Sequence, residues 1–120
     1  MTKEKEKQFL LLLSSYFLKE GATKSAVLDT IANNNWAYFS DEQLQEKSNR
    51  KELVWRNDFA FVRKHLVQNG LYVEGIRNNW SITEQGIIEL RHLYTEVSSE
   101  KDFIYITLKA KTDAQHILYD

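Results

Sequence analysis

The chain has 120 residues, room for one domain, and its 42% hydrophobic and 28% charged content is a globular balance rather than a disordered one. Sixteen basic and seventeen acidic residues leave a formal net charge of −1, which taken alone speaks against nucleic-acid binding. The absence of cysteine excludes disulfides, thiolate-bound zinc, iron–sulfur clusters and thiol catalysis.

The charged start from Met1 to Lys7 has no long apolar stretch behind it and does not read as a signal peptide. The longest aliphatic run, Leu10 to Leu13, is too short for a membrane span. A soluble cytoplasmic chain with no membrane partner is expected. Phe9, Leu12, Leu13, Tyr16 and Phe17 recur at helical spacing and predict a helix from Lys5 to Glu20, closed by Gly21. Thr23 caps a second helix, Lys24 to Asn33, with Val27, Leu28, Ile31 and Ala32 inward. Asn33-Asn34-Asn35 stops it, because asparagine tolerates left-handed geometry. Ser40 and Gln43 form a capping-box pattern ahead of a short helix, Asp41 to Lys47, and Ser48-Asn49-Arg50 reads as a turn.

The strongest periodicity follows. Trp55, Phe59, Val62 and Leu66 fall at i, i+4, i+7 and i+11, within a sector of about 60°, and predict a long helix from Glu52 to Gln68. Asn69-Gly70 ends it. Leu71-Tyr72-Val73 and Trp80-Ser81-Ile82 then read as two short strands joined by a polar tip, Gly75 to Asn79. Thr83 caps a further helix, Glu84 to Val97, and Phe103 to Leu108 reads as a strand without a sequential partner. The expected class is α+β and mainly helical: a winged helix-turn-helix with a two-stranded wing and an extra C-terminal strand. The domain is expected over 1–98, with 99–120 a strand and linker segment leading to a further domain of a longer protein.

The charge is segregated. Residues 1–46 hold five basic and seven acidic side chains, 47–80 seven and three, and 81–120 four and seven. The basic excess coincides with the long helix, its approach and the hairpin, where phosphate contacts need lysine or arginine. With the apolar stripe inward, Arg56, Asn57, Ala60 and Lys64 face out, and Arg50 and Lys51 precede them. Lysine and arginine suit phosphates or guanine edges, asparagine an adenine edge, and Ala60 leaves room for a base. Arg77, Asn78 and Asn79 form the tip that would lie on the backbone or in a minor groove. Trp36, Tyr38 and Phe39 are read chiefly as core, with a base-stacking pocket as the competing reading. Phe61 lies off the apolar stripe.

Trp55, the run Val62 to Leu71 and the run Asn79 to Gly86, ending Thr83-Glu84-Gln85-Gly86, carry a resemblance to the N-terminal winged-helix domain of Mrr-type restriction endonucleases, over roughly 8–95. The resemblance implies double-stranded DNA as the partner and a role as the targeting module of a covalently fused nuclease that restricts methylated DNA. The acidic flanks and the strand-like tail depart from that family's pattern.

No catalytic constellation, metal set or cofactor motif is found. No acidic residue has lysine two positions on, as an Mrr-type nuclease core requires. His65, His92 and His116 are spaced 27 and 24 residues apart, with no second histidine at i+3 or i+4, and there is no phosphate-binding glycine loop. The chain is therefore read as a non-enzymatic DNA-binding specificity module without cofactor. A protein–protein module is the alternative that Phe61 and the unpaired strand favour, and a small regulator dimerising through its first and last helices is another.

Overall fold

Threonine starts four of the five helices. The side chains of Thr2, Thr23, Thr83 and Thr107 each accept a hydrogen bond from the backbone N–H three residues on, at Lys5, Ala26, Gly86 and Ala110. The computed structural model describes residues 1–48 and 50–120. Of the turn expected at Ser48-Asn49-Arg50, Asn49 lies outside them. The helices are α1 (Lys3–Leu18), α2 (Lys24–Asn33), α3 (Val54–Gln68), α4 (Glu84–Ser99) and α5 (Leu108–Tyr119).

Helix α1 is the centre of the molecule. Phe9, Leu10, Leu11, Leu12 and Leu13 are all fully buried, so the helix is apolar around its whole circumference there rather than along one stripe. Helices α2, α3 and α4 pack on it, and α5 packs on α4. Phe17, expected on the inner face, is 49% exposed and meets Trp36 edge-to-face. The helix stops at Leu18, with Lys19 at a left-handed φ of 59°, two residues before the expected end.

Helices α2 and α3 end alike. Asn35 and Gly70 adopt left-handed φ values of 54° and 72°. Trp36 N–H then reaches the Ile31 carbonyl and Leu71 N–H the Leu66 carbonyl, which closes the last turn of each helix. Helix α3 begins without a side-chain cap. The carbonyls of Gln45 and Gln43 take the N–H groups of Val54 and Trp55 instead.

The expected two-stranded wing is not formed. Leu71–Val73 and Trp80–Ile82 meet through one isolated antiparallel bridge, Tyr72 to Ile82, and the described residues contain no sheet. Two ladder bonds are made around that bridge, Val73 N–H to the Ser81 carbonyl and Thr83 N–H to the Leu71 carbonyl. The reciprocal donors turn elsewhere: Leu71 N–H goes to the Leu66 carbonyl and Ser81 N–H to Asn79 Oδ1, so the pairing does not extend. Among the described residues the fold is thus five helices with loops and isolated bridges, not a winged helix with a strand pair.

The strand expected at Phe103 to Leu108 is likewise absent. The N–H groups of Ile104, Tyr105 and Ile106 all donate to the carboxylate of Glu6, which is 1% exposed. Only an isolated bridge, Ala37 to Ile106, touches another extended segment. Thr107 then opens α5, whose Ala110, Ala114 and Leu118 join the core. The short helix expected from Asp41 to Lys47 stops after one turn. Its capping box is made, with Ser40 N–H on Gln43 Oε1, but Glu46 then bridges to Leu53 and pulls the chain away.

Candidate nucleic-acid interface

The outer face of α3 repeats the period of its inner one. Trp55, Phe59, Val62 and Leu66 are buried, and Asn57, Phe61, Lys64 and Gln68 stand two residues further on at the same spacing, about 200° away around the axis. Phe61, Lys64 and Gln68 are exposed and Asn57 is half-buried. Ala60 is half-buried beside this stripe and packs partly against the core.

The loop before α3 is folded onto the same face. Lys47 Nζ donates to Asn57 Oδ1 at 2.6 Å, and Lys47 N–H to the Glu52 carbonyl at 2.7 Å. Arg50 and Lys51 stand exposed between those two anchors. Lys47 is thus tied to the outer stripe that carries Lys64, and Arg50 and Lys51 are exposed in the segment just ahead of the helix. Lys47, in the basic segment but not singled out from the sequence, is the residue that ties the loop to the helix. Lys24 Nζ contacts Glu52 Oε1 at 2.6 Å, and that hydrogen bond holds the Glu52 carboxyl below its ordinary range. The one carboxylate between Lys51 and the helix is thus already neutralised.

Other residues expected at the interface are engaged within the protein. Arg56 pairs with Asp29 at 3.0 Å and lies over the Trp55 ring. Asn57 holds Lys47 and Glu52. Asn78 is in left-handed geometry, and its Oδ1 accepts the N–H of Lys24 in the first turn of α2. Asn79 Oδ1 takes Ser81 N–H, and its carbonyl takes a guanidinium N–H of Arg63. Arg77 is exposed in the same loop, whose contacts run to Ala22, Lys24 and Arg63 rather than to the Lys47–Lys64 face.

Trp36, Tyr38 and Phe39 do not line one cavity. Trp36 is buried, and its indole N–H donates to Asp113 Oδ2 at 2.8 Å. Phe39 stacks on Trp55 with ring centroids 4.3 Å apart and meets Phe59 and Tyr105. Tyr38 is 67% exposed.

Asp113 also accepts from Lys109 Nζ at 2.6 Å. The Lys109 bond and then the Trp36 bond hold its carboxyl below the ordinary range. A carboxyl depressed in the folded state adds stability above its unfolded pKa of about 4, and that stability is lost as the pH falls through the folded value. Asp113→Asn should therefore show a smaller loss of thermal stability than the parent between pH 7 and about pH 3. Melting curves at the two pH values measure it; equal losses would show that the pair contributes nothing to acid sensitivity.

A cleft of about 700 Å³ lies away from α3, lined by Tyr16, Phe17, Ile82, Ile87 and Ile117, with Lys19 and Glu20 at its edge. Among the described residues no group of three His, Asp or Glu side chains could hold a metal ion, and no helix is long and apolar enough to cross a membrane.

The described residues form a small domain of five helices, with Lys64 exposed on the outer side of α3. The chain belongs to the Mrr N-terminal domain family, which it matches over residues 6–92. That family associates it with restriction systems, and it is an N-terminal domain rather than a catalytic nuclease domain. Comparisons with curated proteins and with solved structures return no match.

Proposed function

We propose that the domain binds double-stranded DNA as the specificity module of a restriction system, directing a nuclease toward its target, including methylated target DNA. The observation that carries this reading is the outer face of α3, where Lys64 is exposed and Lys47 is tied to Asn57, with Arg50 and Lys51 exposed just ahead of the helix. An α-helix fits the major groove, and lysine and arginine beside it reach the phosphates on either side. Arg77, standing apart, is at most an auxiliary phosphate contact in this arrangement.

Each phosphate neutralised adds about 0.9 to the slope of log affinity against log salt. The double substitution Arg50→Ala with Lys51→Ala should therefore reduce that slope by about 2 and weaken all duplexes by a similar factor. Titration of unmodified, adenine-methylated and cytosine-methylated duplexes at several salt concentrations measures both effects. An unchanged slope removes the two residues from the footprint. If the parent binds none of the duplexes at low salt, the DNA reading falls and the apolar cleft at Phe17 and Ile117 becomes the ground for a protein-binding role.

A further inference from the structure

Phe61 is 58% exposed at the middle of the polar outer stripe of α3. Its ring is not loose. Lys64 Nζ sits 4.0 Å from the ring centroid, and the His65 ring meets it edge-on at 5.7 Å. His65 is held in turn by Glu4 on α1, at 2.8 Å. An exposed phenylalanine has nothing to gain from water, and holding it in place beforehand removes the ordering cost of a later contact.

A protein-binding patch would need apolar neighbours, and the neighbours of Phe61 one turn away on the helix are Asn57, Asp58, Lys64 and His65. One apolar ring among hydrogen-bonding and cationic groups matches the major-groove edge of a base pair instead. There the 5-methyl group of a pyrimidine is the one apolar feature among donors and acceptors. Phenylalanine is among the side chains that contact that methyl, and lysine reaches the O6 and N7 of a guanine.

We propose that Phe61 is a specificity-determining contact to a pyrimidine 5-methyl group, with Lys64 placed by the ring to reach an adjacent guanine. This rests on the DNA-binding reading above. The methyl belongs either to thymine or to 5-methylcytosine.

The test uses duplexes of one sequence made in four forms: with thymine or uracil, and with cytosine or 5-methylcytosine. Binding is titrated with the full chain and with its Phe61→Ala variant at low salt. Burial of one methyl is expected to favour the methylated member of one pair by about four-fold, and Phe61→Ala to bring that ratio to one, with any loss at the Lys64 contact lowering both members of the pair alike. A thymine-over-uracil ratio that the variant loses identifies thymine as the source, and a 5-methylcytosine-over-cytosine ratio identifies the modified base. Equal binding of all four forms by the parent, or a ratio that survives in the variant, overturns the role of Phe61 and leaves DNA binding standing. Failure of the parent to bind any form overturns both.

Discussion

Gly86→Ala should destabilise the domain by about 3 kcal/mol and lower its melting temperature by roughly 10 °C. Helix propensity alone argues the other way, since alanine inside a helix is favoured over glycine by about 1 kcal/mol. Sterics decide the sign. A Cβ on Gly86 would stand 2.2 Å from the Leu71 carbonyl oxygen and 2.6 Å from Ile82 Cγ1. The Leu71 oxygen cannot retreat cheaply, because it accepts the N–H of Thr83, and the Thr83 hydroxyl donates to the Gly70 carbonyl at 2.6 Å. Gly86 N–H in turn donates to Thr83 Oγ1. The Thr-Glu-x-Gly motif thus fastens the start of α4 to the end of α3, with threonine as the clasp and glycine as the clearance. Gly75→Ala is the useful contrast. Nothing lies within 4 Å of a Cβ there, and only its left-handed φ of 89° opposes the change, at about 1–2 kcal/mol. Urea unfolding of the two variants gives the comparison, and a Gly86→Ala domain as stable as its parent would show that the 70–71 segment moves aside freely.

That motif was visible in the sequence as a pattern and only in the structure as a mechanism, and the same division runs through the fold. Helices α2, α3 and α4 are legible because their evidence is local: a threonine or a period at the start and, for α2 and α3, a left-handed asparagine or glycine at the end. The failures were non-local. Leu71–Val73 and Trp80–Ile82 have the composition of strands, but the Leu66 carbonyl and the Asn79 side chain take the Leu71 and Ser81 N–H groups that further pairing would need. Phe103–Leu108 has the same composition, and a carboxylate about a hundred residues earlier takes its amides. Helix α5 is different, because its signal was present. Thr107 repeats the capping of the other helices, and Ala110, Ala114 and Leu118 repeat every fourth residue, while the aromatic and β-branched run ahead of them carries the opposing strand signal. At the candidate interface, the outer stripe of α3 follows from the inner one by geometry. The engagement of Arg56, Asn57, Asn78 and Asn79 does not, since Asp29, Lys47, Lys24 and Ser81 come from other turns of the chain or from backbone that sequence spacing leaves unplaced.

Glu6 carries the other large effect. It sits in an alternating lysine and glutamate run, where a charge is ordinarily solvated, yet its carboxylate is buried. Oε1 accepts from Tyr105 N–H at 2.8 Å and Ile106 N–H at 3.1 Å, and Oε2 from Ile104 N–H at 3.1 Å. A single side chain therefore satisfies the amides of an extended segment that would otherwise be buried without partners, and it fixes where α5 begins. Glu6→Ala removes every one of those acceptors, and unpaired buried amides cost about 1–3 kcal/mol each. With partial rescue by water at the less buried Ile104, the expected loss is about 4 kcal/mol, a large fraction of a typical domain's stability of roughly 5–15 kcal/mol. Glu6→Gln should lose much less. Its amide oxygen keeps the Tyr105 and Ile106 bonds, and only the Ile104 N–H then faces a donor. Amide hydrogen exchange reads the mechanism directly. Protection at Ile104, Tyr105 and Ile106 should fall first in Glu6→Ala, together with α5, while α3 retains its protection relative to global unfolding. If the amides of 104–106 exchange no faster relative to α3 than in the parent, the carboxylate is not what holds the segment. If Glu6→Gln is as unstable as Glu6→Ala, its contribution comes from the charge and not from the acceptor geometry.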